Sequence, residues 1–286
     1  MNLTSHITGD GTYSLSVSDS QGGADYSFKE GSNAPKLLVA VGGATPQSCS
    51  GTRQSTSIQI GIAFWTYKDN QLYCKIMGNK LCPKIILEGT RLTFKTEIAF
   101  ELNEHPRIVG PRKYRYHSPL ISAEWCTFTN YPWGRGPINF EPHDESLAME
   151  VYSTWTRMFE LQKYYSWIVD RFHISTQAYQ KQSYGKDYDF RWLEERLLPL
   201  NFRIIFCTRS PESFEAAREE RLKVSGNPSQ YDDLSPFIRE QELMRALVAK
   251  SMLPSLTLDI SDNNISAAIE RIADWMEQSG GLYMPD

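Results

Sequence analysis

One stretch of the chain, residues 84–96 (KIILEGTRLTFKT), has the residue types and the spacing that bind phosphate. An apolar strand leads into Gly-x-x-x-x-Phe-Lys-Thr, and a helix pattern follows. Backbone N–H groups of such a loop, with the positive end of the helix, cradle phosphate oxygens. Lys95 would reach the β- and γ-phosphates, and the Thr96 hydroxyl would ligate Mg²⁺. The predicted nucleotide-contacting residues are Gly89, Thr90, Phe94, Lys95 and Thr96.

Phe94 stands where this motif has glycine. Glycine lets the backbone approach a phosphate without a Cβ, so a phenylalanine either narrows the loop or turns outward. The alternative interpretation is a strand-turn-helix with an incidental Lys-Thr pair. The position of the loop at the start of an alternating strand and helix pattern favours the phosphate loop.

A second candidate element is the predicted strand that ends in Asp170-Arg171-Phe172-His173. A carboxylate at the carboxyl end of a parallel strand faces the crevice where ligands bind. Asp170 would hold Mg²⁺ directly or through water, and Arg171 would clamp a phosphate with two hydrogen bonds. His173 would orient these groups near the substrate. The alternative is a surface ion pair at a helix start.

A third element follows the strand 202–207 and carries Arg218 and Arg221 three residues apart on one predicted helix. Residues at this spacing share a helix face. On a lid, both guanidinium groups would close over the transferring phosphoryl group and offset its charge. The alternative is a charged solvent face that pairs with neighbouring glutamates.

The elements that must position these residues alternate after residue 82. The pattern predicts a parallel, doubly wound α/β sheet, a fold class with helices on both faces. Its five strands are 84–87, 119–123, 165–169, 202–207 and 255–259, and its helices are 95–102, 143–165, 190–197, 210–224, 235–250 and one after residue 264. We therefore predict a β-rich amino-terminal segment with a linker at 1–82 and an α/β domain at 83–286. The strands expected before the boundary are 12–17, 36–41, 58–67 and 71–77.

These three elements together resemble the thymidylate kinase and deoxynucleoside kinase group of P-loop kinases over residues 84–278. The resemblance implies a five-stranded parallel core, ATP and Mg²⁺ as cofactors, and a nucleoside or nucleotide as phosphoryl acceptor. It also implies that Glu124, after the second strand of the domain, is the acceptor-side base. The group usually has proline after that acid, whereas this chain has Trp125.

The sequence patterns that predict the acceptor pocket are weaker. Residues 105–117 (HPRIVGPRKYRYH) concentrate basic and aromatic side chains that suit an anionic or aromatic acceptor, and a solvated basic loop is the equal alternative. The loop 131–136 (YPWGRG) could stack on a base, or simply cover the core. Trp125, Trp133 and Arg135 are the acceptor-contacting candidates.

The amino-terminal residues 6–41 resemble the closing strands of a DNRLRE-type β-sandwich module, a module found mostly in extracellular proteins. The resemblance rests on the segments 9–14 (GDGTYS), 23–27 (GADYS) and 33–37 (NAPKL). Half a sandwich cannot bury its own inner face. We therefore expect these strands to pack on the α/β domain or on another chain.

The bulk composition narrows the classes of function. A net charge of −4 disfavours broad nucleic-acid binding. The five cysteines show no CxxC spacing, and the chain shows neither a signal peptide nor an apolar run of about 18 residues. These features favour a cytoplasmic enzyme that does not associate with a membrane, and they are compatible with a homodimer.

The leading hypothesis is therefore an ATP-dependent phosphotransferase that acts on a nucleoside, a nucleotide or a similar hydroxyl compound. The first alternative is a non-catalytic module with a degenerate kinase fold, which binds nucleotide or nothing and uses its surface for a partner, and Phe94 favours it. A kinase acting on nucleic acid is the second alternative, supported only by the basic residues 107–115.

Overall fold

The structure is a computed structural model in which residues 80–109, 120–131 and 134–283 are described in full. In residues 1–79 only the backbone of five strands is described. Contacts divide the chain into two compact units, with the boundary after residue 79. The first unit contains an antiparallel three-stranded sheet of β1 (Asn2–Thr8), β2 (Thr12–Ser18) and β3 (Ala24–Lys29), and a hairpin of β4 (Ile62–Lys68) and β5 (Gln71–Met77).

The second unit alternates strands and helices in the predicted manner. Its elements are β6 (Lys84–Glu88), α1 (Lys95–Glu104), α2 (Pro106–Val109), β7 (Leu120–Ser122), α3 (Glu145–Leu161), β8 (Trp167–Asp170), α4 (His173–Tyr184), α5 (Arg191–Leu197), β9 (Phe202–Thr208), α6 (Ser213–Leu222), α7 (Ser235–Val248), β10 (Ser255–Asp259) and α8 (Ile265–Gln278). Short 3₁₀ turns lie at Pro142–Asp144, Leu198–Leu200 and Pro228–Tyr231.

The sheet of this unit is parallel and runs in the order β10-β9-β6-β8-β7. The chain leaves the central strand β6 toward β7 and β8 on one side and then toward β9 and β10 on the other. Ligands bind at such a switch, outside the carboxyl ends of the strands. The phosphate-loop candidate follows β6 directly, and the register places Leu87 beside Asp170 of β8. The predicted five-stranded parallel α/β core is confirmed.

Helices cover both faces of this sheet. Because alternate residues of β6 face opposite ways, this strand contributes side chains to two cores. Ile86 packs into a core shared with α3, α4, α5 and α7. Ile85 and Leu87 pack into a second core shared with α1 and α8. Every residue of β6, β8 and β9 is buried, as expected for strands covered on both sides.

Two local predictions differ from the structure. Helix α4 begins at His173, in a segment where we predicted no helix beyond a start signal. Helix α6 begins at Ser213, because Ser210 and Pro211 form a turn that precedes it instead of its first turn. In the first unit, predicted strands at 12–17, 58–67 and 71–77 correspond to β2, β4 and β5, whereas 36–41 lies outside the described residues. The resemblance of residues 6–41 to a sandwich module stays a prediction.

None of the described helices is long and apolar enough to cross a membrane. Of the described cysteines, Cys82, Cys126 and Cys207 are free thiols.

Gly89 fixes the start of the loop against β9. Its φ is +148°, and a Cβ built there would lie 2.5 Å from the Cys207 carbonyl oxygen and 2.9 Å from Thr93 Oγ1. We expect Gly89→Ala to lower the free energy of unfolding by about 1–3 kcal/mol through clash and backbone strain. Urea denaturation measures this. Gly226→Ala is the control, because its Cβ meets nothing within 4 Å and should change stability by less than about 0.5 kcal/mol. Equal effects of the two substitutions would contradict the role of Gly89.

Candidate functional site

The loop between β6 and α1 has a left-handed residue at Phe94, where the phosphate-loop motif has glycine. Phe94 has φ 51° and ψ 26°, the left-handed conformation that glycine adopts most easily. Its half-buried side chain packs against the core under α1 and α8, and its ring lies 5.3 Å from the Arg209 guanidinium carbon. The side chain therefore turns toward the core while the backbone keeps the conformation that glycine would have.

Leu92, at the tip of the loop, joins the loop to the segment that follows β9. It has φ 66° and is buried with Phe214 and Ala217 of α6 and with Tyr231. This small apolar cluster holds α6 and the 3₁₀ turn Pro228–Tyr231 over the loop. The predicted lid segment is therefore packed onto the loop tip.

Lys95 and Thr96 begin helix α1 and point toward the ends of β6 and β8. Lys95 Nζ donates to the Thr90 carbonyl oxygen at 2.7 Å and to Thr93 Oγ1 at 3.2 Å, inside the loop. Thr96 Oγ1 donates to Asp170 Oδ2 at 3.1 Å. The first backbone N–H groups of α1 have no partner within the helix. These N–H donors and the Lys95 ammonium group are the groups that could hold an anion above the loop.

Thr96 and Asp170 are residues that could hold Mg²⁺. Both offer oxygen ligands, and Asp170 Oδ1 is buried without a hydrogen-bond partner. Mg²⁺ in kinases is held by one or two protein oxygens plus phosphates and waters. Such a site has too few protein carboxylates to form a cluster, and the described residues contain no group of three or more His, Cys, Asp or Glu placed for a metal.

Arg171 is buried and held by acidic and hydroxyl partners. Its Nη2 lies 2.6 Å from Glu240 Oε1, its Nη1 lies 3.6 Å from Glu124 Oε1, and its Nε donates to Ser175 Oγ at 2.9 Å. Burial opposes the charge on Arg171, but the carboxylates of Glu240 and Glu124 raise its pKa above the usual range. The second oxygen of Glu240 accepts a hydrogen bond from the Thr90 hydroxyl of the phosphate loop.

Glu88, the last residue of β6, lies beneath this arrangement. Its Oε1 accepts the backbone N–H groups of Phe172 at 3.0 Å and Ile174 at 3.1 Å, and its Oε2 accepts the Ser175 hydroxyl. Burial raises the pKa of this carboxyl, while nearby His173 and these donors oppose the rise. Glu88 thus caps α4 and fixes the segment that carries Asp170 and Arg171.

Glu124 follows β7 and faces two cavities. Burial tends to raise the pKa of its carboxyl, but Arg171, Lys95 and Arg91 hold it below its usual range. The group is therefore an ionised carboxylate at neutral pH. Arg91 Nε lies 3.6 Å from Glu124 Oε1.

The first cavity, of about 250 Å³, lies above the phosphate loop. It is bordered by the loop residues 91–96 and by the lid segment, including Arg221 and residues 224–227. Glu124 and Trp125 complete the wall toward β7. The second cavity, of about 380 Å³, is bordered by the termini of α4 and α7 and shares Arg91 and Glu124 with the first.

The remaining predicted site residues lie in different places. Arg221 borders the first cavity and its Nε donates to the Tyr231 hydroxyl at 3.3 Å, whereas Arg218 borders neither cavity and pairs with Glu215. His173 is buried beside Glu194, with 2.8 Å between His173 Nε2 and Glu194 Oε1, and it borders neither cavity.

The predicted acceptor loops contribute little of the described cavity walls. Arg135 pairs with Glu141 at 2.7 Å and borders neither cavity, and Trp133 lies outside the described residues. Within the basic stretch 105–117, Arg107 pairs with Asp274 at 2.7 Å and with Glu277 at 2.9 Å on α8, and residues 110–117 lie outside the described residues.

Glu240 and Gln241 are site residues that the sequence analysis missed. They are buried in α7, where Gln241 accepts the Arg209 N–H and donates to the Arg209 carbonyl, both at 2.9 Å. A signal was present, since both polar residues precede Met244 by three or four positions and so fall on the apolar stripe of the helix. A buried polar residue needs a partner, which makes such positions candidates for a site.

Comparisons with known proteins found similar structures but no sequence relatives. No protein-family model and no curated protein matches the chain. The YorR protein of Bacillus subtilis, solved with phosphorylated GDP, is 20% identical with a TM-score of 0.44 over 68% of this chain and 96% of its own. Thymidylate kinase of Candida albicans is 15% identical with a TM-score of 0.39 over 71% and 94%. Deoxyadenosine kinase of M. mycoides is 13% identical with a TM-score of 0.40 over 68% and 99%.

The Asp170 carboxyl gives a test of the site's electrostatics. Burial and the nearby Glu124 raise its pKa above the ordinary value of 3.8, against the opposing effects of Lys95 and Arg171. A raised folded-state pKa means that the folded protein binds the proton more tightly than the unfolded chain. Stability is therefore lost as pH rises from about 3.8 through the folded-state pKa.

We expect Asp170→Asn to be more stable than the wild type at pH 7 in the absence of ligand. The difference should shrink as pH falls toward 3.8. Urea denaturation between pH 3.5 and pH 8 measures it. If the variant is less stable than the wild type at pH 7, or if the difference in stability does not depend on pH, then the pKa of Asp170 is not raised in the folded protein.

Proposed function

We propose that this protein transfers the γ-phosphoryl group of Mg-ATP to a hydroxyl-bearing acceptor of the nucleoside or nucleotide class. The observation that carries the proposal is the hydrogen bond of Thr96, the last residue of the phosphate loop, to Asp170 on the neighbouring parallel strand. Two residues 74 positions apart thereby offer Mg²⁺ ligands at the N-terminus of a helix. That combination is the arrangement expected for phosphoryl transfer.

The residues would act on opposite ends of the reaction. The triphosphate would lie on the loop, where Lys95 would leave the Thr90 carbonyl oxygen for the β- and γ-phosphates. Thr96 and Asp170 would hold Mg²⁺, which would offset the negative charge of the phosphates. Arg221, which borders the same cavity from the lid, would add positive charge to the γ-phosphate. Such catalysis consists mainly of positioning and electrostatic stabilisation.

Glu124 would act on the acceptor as a general base. Its carboxylate borders both cavities, so it lies between the loop and the second cavity. An acceptor hydroxyl there would hydrogen-bond to Glu124 and attack the γ-phosphorus. The new oxygen–phosphorus bond forms, the bond to the β–γ bridging oxygen breaks, ADP leaves, and the hydroxyl proton passes to Glu124.

A nucleotide-binding module without catalysis is the second candidate. The ion pair between Arg171 and Glu240 favours it, because a locked Arg171 cannot contact phosphate unless Glu240 releases it. This module would bind Mg-ATP and release no ADP with any acceptor. A turnover measurement therefore distinguishes the two candidate functions, whereas a measurement of nucleotide binding does not.

Removal of the loop lysine tests nucleotide binding. Mg-ATP at about 100 times its Kd should add about 2.7 kcal/mol to the stability of the wild type, seen as a higher melting temperature. We expect Lys95→Ala to lose most of this stabilisation. Lys181→Ala, which removes an exposed lysine that pairs with Asp187, should keep it. The absence of any shift in the wild type would remove both candidate functions.

Phe94→Gly tests the departure from the motif. The ring packs on the core, so its removal should cost about 1–3 kcal/mol of stability, offset by about 1 kcal/mol because glycine adopts the left-handed conformation freely. Because the ring does not fill the loop, we expect stabilisation by Mg-ATP within about threefold in Kd of the wild type. A wild type that does not bind and a Phe94→Gly variant that does would show that Phe94 blocks the site.

A further inference from the structure

The second cavity carries a charge balance that limits what it can accept. The described cations on its wall are Arg91 and Arg171, and the described carboxylates are Glu124 and Glu240. Each arginine already has a carboxylate partner, at 3.6 Å for Arg91 and 2.6 Å for Arg171. The described wall is therefore neutral before an acceptor enters.

Glu240 holds Arg171 in a way that an incoming anion cannot easily undo. Nη2 of Arg171 donates to Glu240, Nη1 lies near Glu124, and Nε donates to Ser175. Glu240 in turn accepts from the Thr90 hydroxyl with its other oxygen, and its side chain is nearly buried in α7. A phosphate that competed for Arg171 would leave a buried carboxylate without its partner, which is costly.

Glu124 adds a chemical argument. A hydroxyl acceptor has a proton to lose, so a carboxylate beside it assists the attack. A phosphate acceptor attacks through an oxygen that is already deprotonated at neutral pH, and a carboxylate beside it repels that oxygen. The position of Glu124 between the cavities therefore suits a hydroxyl.

We propose that Glu240, by holding Arg171, restricts the acceptor to an uncharged hydroxyl compound such as a nucleoside, and excludes nucleoside monophosphates. This inference rests on the proposed phosphotransferase function and narrows its substrate class. Glu240 is a positioning residue, since it acts through Arg171. The other lining groups suit a neutral polar ligand, because they combine the polar residues Asn139, Gln182 and Ser183 with apolar ones such as Ile138 and Phe237.

The test compares acceptors in matched pairs. ADP release from Mg-ATP is measured with the common nucleosides and with the corresponding nucleoside monophosphates. The variants are Glu240→Gln, which keeps the shape but removes the charge, and Glu242→Gln, an exposed glutamate on the same helix paired with Arg245. The wild type should turn over nucleosides and show no comparable turnover of monophosphates.

In Glu240→Gln, Arg171 gains freedom to bind an anion. We expect the KM for monophosphates to fall by about tenfold or more, which is the effect of one charge-assisted hydrogen bond, while the KM for nucleosides changes little. Glu242→Gln should behave as the wild type does. A parallel change of both KM values would assign Glu240 a purely structural role and overturn the inference.

The wild-type comparison decides the acceptor's charge even where the variant does not fold. Preferred turnover of monophosphates would overturn this inference and leave the phosphotransferase function standing. If neither acceptor class supports ADP release although Mg-ATP stabilises the protein, both this inference and the phosphotransferase function are overturned. That result would favour the binding module.

Discussion

The site depends on one buried carboxylate, that of Glu88. It ends the central strand and accepts two backbone N–H groups at the start of α4 together with the Ser175 hydroxyl. Burying a carboxylate is unfavourable, and the raised pKa of Glu88 shows that part of the cost persists. The helix N-terminus and three donors offset the rest. Because Glu88 precedes the phosphate loop directly, this one contact sets the loop against the end of β8.

The charges of the site follow from that contact. With the start of α4 fixed, Arg171 adopts a left-handed backbone conformation at φ 58°, and its guanidinium enters the space between Glu124 and Glu240. Asp170 is left with one oxygen on Thr96 and the other without a partner. Asp170, Glu124 and Glu240 thus bring three carboxylates to this part of the structure. Under the proposed function, a divalent cation at Asp170 would offset part of their negative charge.

The sequence predicted the elements that local patterns encode. The apolar strands β6 and β9, the loop with Lys95 and the exact span of β10 follow from runs and turn residues. Helix α4 was missed because its buried face is mostly polar: His173, Ser175, Thr176 and Gln180 are buried there beside Ile174 and Ala178. The polar residues have distant partners, as in the bond between Thr176 and Tyr152 and those from Gln180 to the carbonyls of Ile138 and Phe140. Two apolar residues alone make too short a stripe to predict a helix. Glu240 lies on the apolar stripe of α7, but its partners Arg171 and Thr90 are 69 and 150 residues away, so the sequence did not indicate what its side chain would contact.

Phe94 shows how a loop can keep its backbone while its sequence departs from the motif. A non-glycine residue in the left-handed conformation costs about 1–2 kcal/mol. Burial of an aromatic side chain against the core and a contact with a guanidinium are together of the same size or larger. Arg209 supplies that guanidinium between the rings of Phe94 and Phe214, and burial lowers its pKa to about 10. The strain at Phe94 is thus offset locally, by side-chain contacts on the core side of the loop. The substitution alone is therefore no argument against the proposed binding of a nucleotide at this loop.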